Sequence, residues 1–178
     1  MKRFPFIFLT SAFTLIEVLI VISILAIISG IVLSSLQGSR EKAKISRARS
    51  DIRQIYNAII LLEGDTGEWP GHQRPYVVAT GADDNEICGG GCNYGLDDCM
   101  AGLICNPEFP NDYVGWNGPY IGKIPLDPWG NEYFFDTDYD IQQGSGEKWA
   151  VVVGSYGPNG QGLNQYDEDD IIYVVISE

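Results

Sequence analysis

FTLIEVLIVISILAIISGIVLSSL, residues 13–36, is an apolar run of 24 residues broken by one charge, Glu17. Wound as an α-helix at 1.5 Å per residue it reaches roughly 36 Å, enough to cross a hydrocarbon core of about 30 Å. A single 178-residue chain rarely hides so long a helix on every side, so the run is expected to be a membrane span rather than a core helix. Lys2 and Arg3 precede it. The small-residue site Thr10-Ser11-Ala12 also precedes it, the reverse of the order in a secretory signal.

Charge is distributed in blocks around that run. Residues 40–53 carry Arg40, Lys42, Lys44, Arg47, Arg49 and Arg53 against Glu41 and Asp51. Beyond residue 53 only Arg74, Lys123 and Lys148 remain to offset 21 acids, and the whole chain carries −13. A greasy end, a basic collar and an acidic body describe a protein anchored at one end, and the acidic body argues against nucleic acid as a partner. Lys and Arg flank both ends of the span, so charge alone leaves its orientation open. His72 is the only histidine, no Ser-His-Asp set is visible, and no two carboxylates are placed across a cleft. Catalysis is not expected.

After the span, Ile45, Ala48, Ile52, Ile55, Tyr56, Ile59 and Leu62 recur at helical spacing. One helix from residue 13 to about 63 would be roughly 75 Å long, apolar all round at first and one-striped afterwards. Gly64, followed by Asp65-Thr66-Gly67, is a plausible stop. Three β-rich runs, residues 132–135, 149–154 and 171–176, are separated by turn clusters and read as an antiparallel meander. Trp129, Tyr133, Phe135 and Trp149 are expected to fill the helix–sheet interface. The fold class is α+β.

Glu17 is costly inside a span and is therefore a candidate functional group. If the chain is cut after Ala12, the new α-amino group lies about 6 Å away along the helix, where it or the amine of a second copy can pair with the carboxylate. The alternative is a Glu that stays protonated. Asp167-Glu168-Asp169-Asp170 is a run of four acids after a glycine-rich turn. A hard cation such as Ca²⁺ would relieve their repulsion, and a solvated acidic turn is the competing reading. Cys88, Cys92, Cys99 and Cys105 lie in a glycine-rich stretch too poor in apolar residues to fold unaided. They suggest two disulfides with three possible connectivities, and the paired C-x2-C knuckles of a zinc site are absent.

The string from Ala12 to Glu17 followed by about twenty apolar residues resembles the processing segment of type IV pilins and type II secretion pseudopilins. Gly118-Pro119-Tyr120, the Ile124-Pro125-Leu126-Asp127-Pro128-Trp129-Gly130 stretch, and Ser155-Tyr156-Gly157-Pro158-Asn159-Gly160 running into Asp167 resemble the major, G-type, pseudopilin. The resemblance implies a pilin fold: a leader over residues 1–12, a transmembrane and filament-core helix over 13–36, and an extracytoplasmic domain over 37–178. Residues 77–117 form a Cys-rich insert with no counterpart recognised in the family. It implies cleavage between Ala12 and Phe13 by a prepilin peptidase, N-methylation of Phe13, and alignment of subunits by Glu17. Ala12 stands where the family has Gly. It also implies Ca²⁺ at Asn159, where an Asp is usual, with Asp167, Asp169 and Asp170 and backbone oxygens near Tyr156, Gln161 and Glu168. The implied setting is the bacterial inner membrane, with a homo-oligomeric filament, minor pseudopilins, an assembly platform and its ATPase as partners. A type IV pilus subunit is the second reading. A membrane-tethered, Ca²⁺-dependent glycan-binding module using Trp69, Trp116 and Trp129 is a third.

Overall fold

The computed structural model describes residues 14–80, 85–89, 91–142, 146–162 and 165–177, and the side chains of 31–36 lie outside the description. Ala12 and Phe13, the expected processing site, therefore fall outside the described residues. The chain divides into two compact units, Met1–Lys42 and Ala43–Glu178. One helix, α1 (Leu15–Thr66), contributes to both.

In the first unit the described side chains of α1 are exposed on every face, from Leu15 at 79% to Ile28 at 52%. A helix with no polar face has nothing to present to water, so it requires lipid or other apolar helices around it. Among the described residues no helix is long and apolar enough to cross a membrane. The apolar part whose side chains are described, residues 15–30, covers about 24 Å. Of the remainder of the expected span, Phe13 lies outside the described residues and 31–36 continue α1 with side chains outside the description. Gly30 and Gly38 have open space around them and do not interrupt α1.

In the second unit α1 follows the expected apolar stripe. Ala48, Ile52, Ile55, Ala58, Ile59 and Leu62 are buried against Tyr133, Phe135, Val151, Val153 and Ile171. Each buried Ile or Leu contributes roughly 1.5–3 kcal/mol. The helix ends at Thr66, one turn fraction later than the expected Gly64. Gly67 takes φ 75° and returns its N–H to the Glu63 carbonyl at 2.7 Å, a left-handed cap that a residue with a Cβ adopts poorly.

The sheet is the expected antiparallel meander, ordered β1 (Tyr133–Asp140), β2 (Trp149–Ser155), β3 (Ile171–Ser177). Strand β1 runs five residues beyond the expected end at Phe135 and is buried throughout, acids included. Its second face carries a separate cluster of Phe134, Tyr139, Ala150, Val152 and Tyr156, in which Phe134 and Tyr156 stack at 4.2 Å. Cys88 and Cys92 join that cluster, while Ile87, Leu96, Ala101, Leu103 and Tyr113 of the same insert pack in the cluster on the α1 side. Trp149 is only half-buried and joins neither cluster, whereas Trp129 packs on the helix side. Disulfides join Cys88 to Cys92 and Cys99 to Cys105, closing two short loops. Tyr113 ties the second loop to the chain after α1, accepting from Gly71 N at 2.7 Å and donating to the Met100 carbonyl at 2.9 Å.

Candidate functional sites at the helix start and the β2–β3 loop

Thr14 and Glu17 form a reciprocal cap at the start of α1. The Thr14 hydroxyl and backbone N–H both donate to Glu17 Oε2 at 2.8 Å, and Glu17 N–H donates to the Thr14 hydroxyl at 3.3 Å. This is the Thr-x-x-Glu capping box, and it satisfies donors that a helix start leaves open. The sequence contained the signal, Thr14-Leu15-Ile16-Glu17, but a search for charge partners passes over a local hydroxyl. The carboxylate is thus fixed at the positive end of the helix, one residue from Phe13 on its capping partner.

The loop between β2 and β3 gathers the four residues expected to bind a cation. Gly157 permits the fold: it has φ 59°, and a Cβ there would fall 2.1 Å from the Asp169 carbonyl oxygen. Asn159 Nδ2 donates to Asp167 Oδ2 at 2.8 Å and to Asp169 Oδ1 at 2.6 Å, while Asn159 N–H donates to Asp169 Oδ2 at 2.9 Å. Asn159 Oδ1 accepts from Gln161 N–H at 2.6 Å. The Asn159 amide holds Asp167 below the usual carboxylate range, whereas desolvation raises Asp169.

Asp170 is turned inward. Its Oδ2 accepts from the Tyr139 hydroxyl at 2.6 Å and from Asp167 N–H at 2.8 Å, while its Oδ1 is buried without a partner. Burial pushes Asp170 up to about 6. A buried carboxylate oxygen with nothing to bind suits a hard cation that prefers oxygen, and Asp167 and Asp169 in the same loop carry further carboxylate oxygens. Of the expected backbone ligands, the Tyr156 carbonyl already accepts from Gly160 N–H at 3.2 Å.

A second acidic group was not anticipated. Carboxylate oxygens of Glu86, Asp136 and Asp138 lie within 4.8 Å of one another on the outer side of β1. Burial raises Asp136 to about 8. The signal was the alternation Asp136-Thr137-Asp138, which reads as a turn while the strand is taken to end at Phe135. The tryptophans do not form a binding face. Trp69 is fully buried, donating Nε1–H to Glu63 at 2.9 Å, and half-buried Trp116 donates to the Gly102 carbonyl at 2.6 Å.

Residues 95–173 match the family model for type II secretion system protein G, and residues 10–33 match the prokaryotic N-terminal methylation motif. The type II secretion system core protein G of Aeromonas hydrophila is 34% identical over 123 residues, 69% of this chain and 70% of that protein. Its counterpart in Escherichia coli K12 is 30% identical over 160 residues, 89% of this chain and 87% of that one. The major pseudopilin from the type 2 secretion system of enterohaemorrhagic Escherichia coli, known from a crystal structure, is 20% identical and superposes at a TM-score of 0.45, covering 77% of this chain and 91% of that one.

Proposed function

The chain belongs to the type II secretion protein G family, whose members are structural pseudopilus subunits, and we propose that its mature form is built into a helical filament that drives protein export from the inner membrane. The observation that carries this reading is the start of α1, a helix exposed and apolar on all faces with one fixed carboxylate at its end. Helices of this kind exchange lipid for one another when they stack, since packing and not water exclusion decides the preference. Work then comes from adding subunits, and the subunit itself supplies surface and register.

Processing by a prepilin peptidase between Ala12 and Phe13, with methylation of Phe13, would place an α-amino group beside the capped Glu17. That carboxylate pairs with its own or an incoming subunit's amine and sets the stagger. The assembly platform, its ATPase and minor pseudopilins are the partners this mechanism calls for. Ca²⁺ would be held by Asn159, Asp167, Asp169 and Asp170, where it supplies the positive charge that closes the β2–β3 loop. Asn in place of Asp leaves one fewer negative charge to bind it.

Mass spectrometry of the mature N-terminus tests processing: a methylated Phe13 is expected, and a retained Met1 overturns it. Glu17→Ala should stay in the membrane yet build no filaments, and normal filaments would refute the register role.

A further inference from the structure

We propose that Glu86, Asp136 and Asp138 form a second divalent-cation site, of the Ca²⁺ type, which fastens the Cys-rich insert to the edge of β1. The placement follows from backbone pairing. Ile87 and Phe135 exchange both hydrogen bonds, Ile87 N–H to Phe135 O at 2.9 Å and Phe135 N–H to Ile87 O at 3.0 Å, as an antiparallel bridge. The next pair along such a bridge is Glu86 opposite Asp136, a non-hydrogen-bonded pair whose side chains approach closely. Asp138 lies two residues further on, and its N–H donates to Asp136 Oδ1 at 2.9 Å.

Two carboxyls directly opposed, with a third beside them, destabilise a strand pair when ionised, and a cation bound among them removes that penalty. The second, independent observation is Asp136 Oδ2. Asp136 is 1% exposed, and this oxygen has no hydrogen-bond partner. A buried carboxylate oxygen left open is costly, and a fold retains it where a ligand satisfies it. Oxygens within 4.8 Å of one another can share an ion at about 2.4 Å, the Ca²⁺ distance. Three carboxylates and no nitrogen or sulfur select a hard cation, with water completing the shell.

This site is separate in sequence from the β2–β3 loop and fails or stands independently of it. Glu86 comes from the insert and Asp136 from the sheet, so cation binding joins the two. The Cys88–Cys92 disulfide begins two residues after Glu86 and stiffens the same segment.

The test is calorimetric titration with CaCl₂ of the full chain, solubilised in detergent and stripped with EDTA. Asp167→Asn/Asp169→Asn disables the loop and should leave one equivalent bound. Adding Asp136→Asn to that background should abolish the remaining equivalent, and Glu86→Gln should do the same. No Ca²⁺ uptake by the loop-disabled chain overturns the site. So does uptake that survives both Asp136→Asn and Glu86→Gln.

Discussion

The Thr14 hydroxyl donates to Glu17 Oε2 at 2.8 Å, so the carboxylate expected to pair with an α-amino group is also a helix cap. The two roles are compatible because a cap and an α-amino group both lie at the helix's positive end. Thr14→Val keeps the shape and removes the hydroxyl. It should cost about 1 kcal/mol of local helix stability. Amide exchange of residues 15–18 in detergent should then quicken roughly fivefold, while the sheet is unaffected.

Asn159→Asp should weaken the loop in the absence of a cation. The substitution removes two donated hydrogen bonds, to Asp167 and Asp169, and puts a third carboxylate against them. The loss in EDTA should be about 2 kcal/mol. Saturating Ca²⁺ should recover it and shift the melting temperature further than in the parent chain. Denaturation with and without Ca²⁺ reads both effects.

Asp127 is a buried hub in the turn before β1. Its Oδ1 accepts from Trp129 N–H at 2.9 Å and Asn131 N–H at 2.8 Å, and its Oδ2 from the Ser155 hydroxyl at 2.6 Å. Asp127→Ala leaves all three donors unsatisfied and should cost about 3 kcal/mol or more in urea unfolding. Asp127→Asn, which keeps one acceptor oxygen, should cost less.

Burial lifts Tyr113 to about 12 and raises Tyr133, Tyr139 and Tyr156 further, from an ordinary value of 10.0. These groups hold their protons in the folded state after the unfolded chain has lost them. Stability from this source is complete below pH 10 and drains away as pH climbs through about 12. Tyrosinate absorbance should rise in two stages, the exposed rings first and the buried ones together with loss of near-ultraviolet circular dichroism.

The amphipathic half of α1 was legible because Ala48, Ile52, Ile55, Ile59 and Leu62 all point one way and all are buried. The meander was legible for the same reason. The end of β1 was not, since Asp136, Asp138 and Asp140 have low strand propensity, and chain distant in sequence covers them, Ile87 bridging Phe135 and Gln165 bridging Asp140. Gly67 rather than Gly64 caps α1 because the glycine that matters is the one required to turn left-handed. The four loop acceptors were legible from charge density. That Asn159 would bridge two of them as a donor was not, because an amide's orientation is set by its neighbours. Disulfide partners were open among three pairings, and proximity in the folded insert chose the two sequential ones.

With Ile87 bridged to Phe135, the insert occupies backbone groups on the free side of β1, while β3 ends the sheet on the other side with Tyr173 and Val174 exposed. Among the described residues the sheet can therefore be lengthened by a foreign strand in one direction, past β3. Among the described residues, a peptide that adds by strand pairing meets an open edge at β3, while the Ile87–Phe135 bridge occupies the edge at β1.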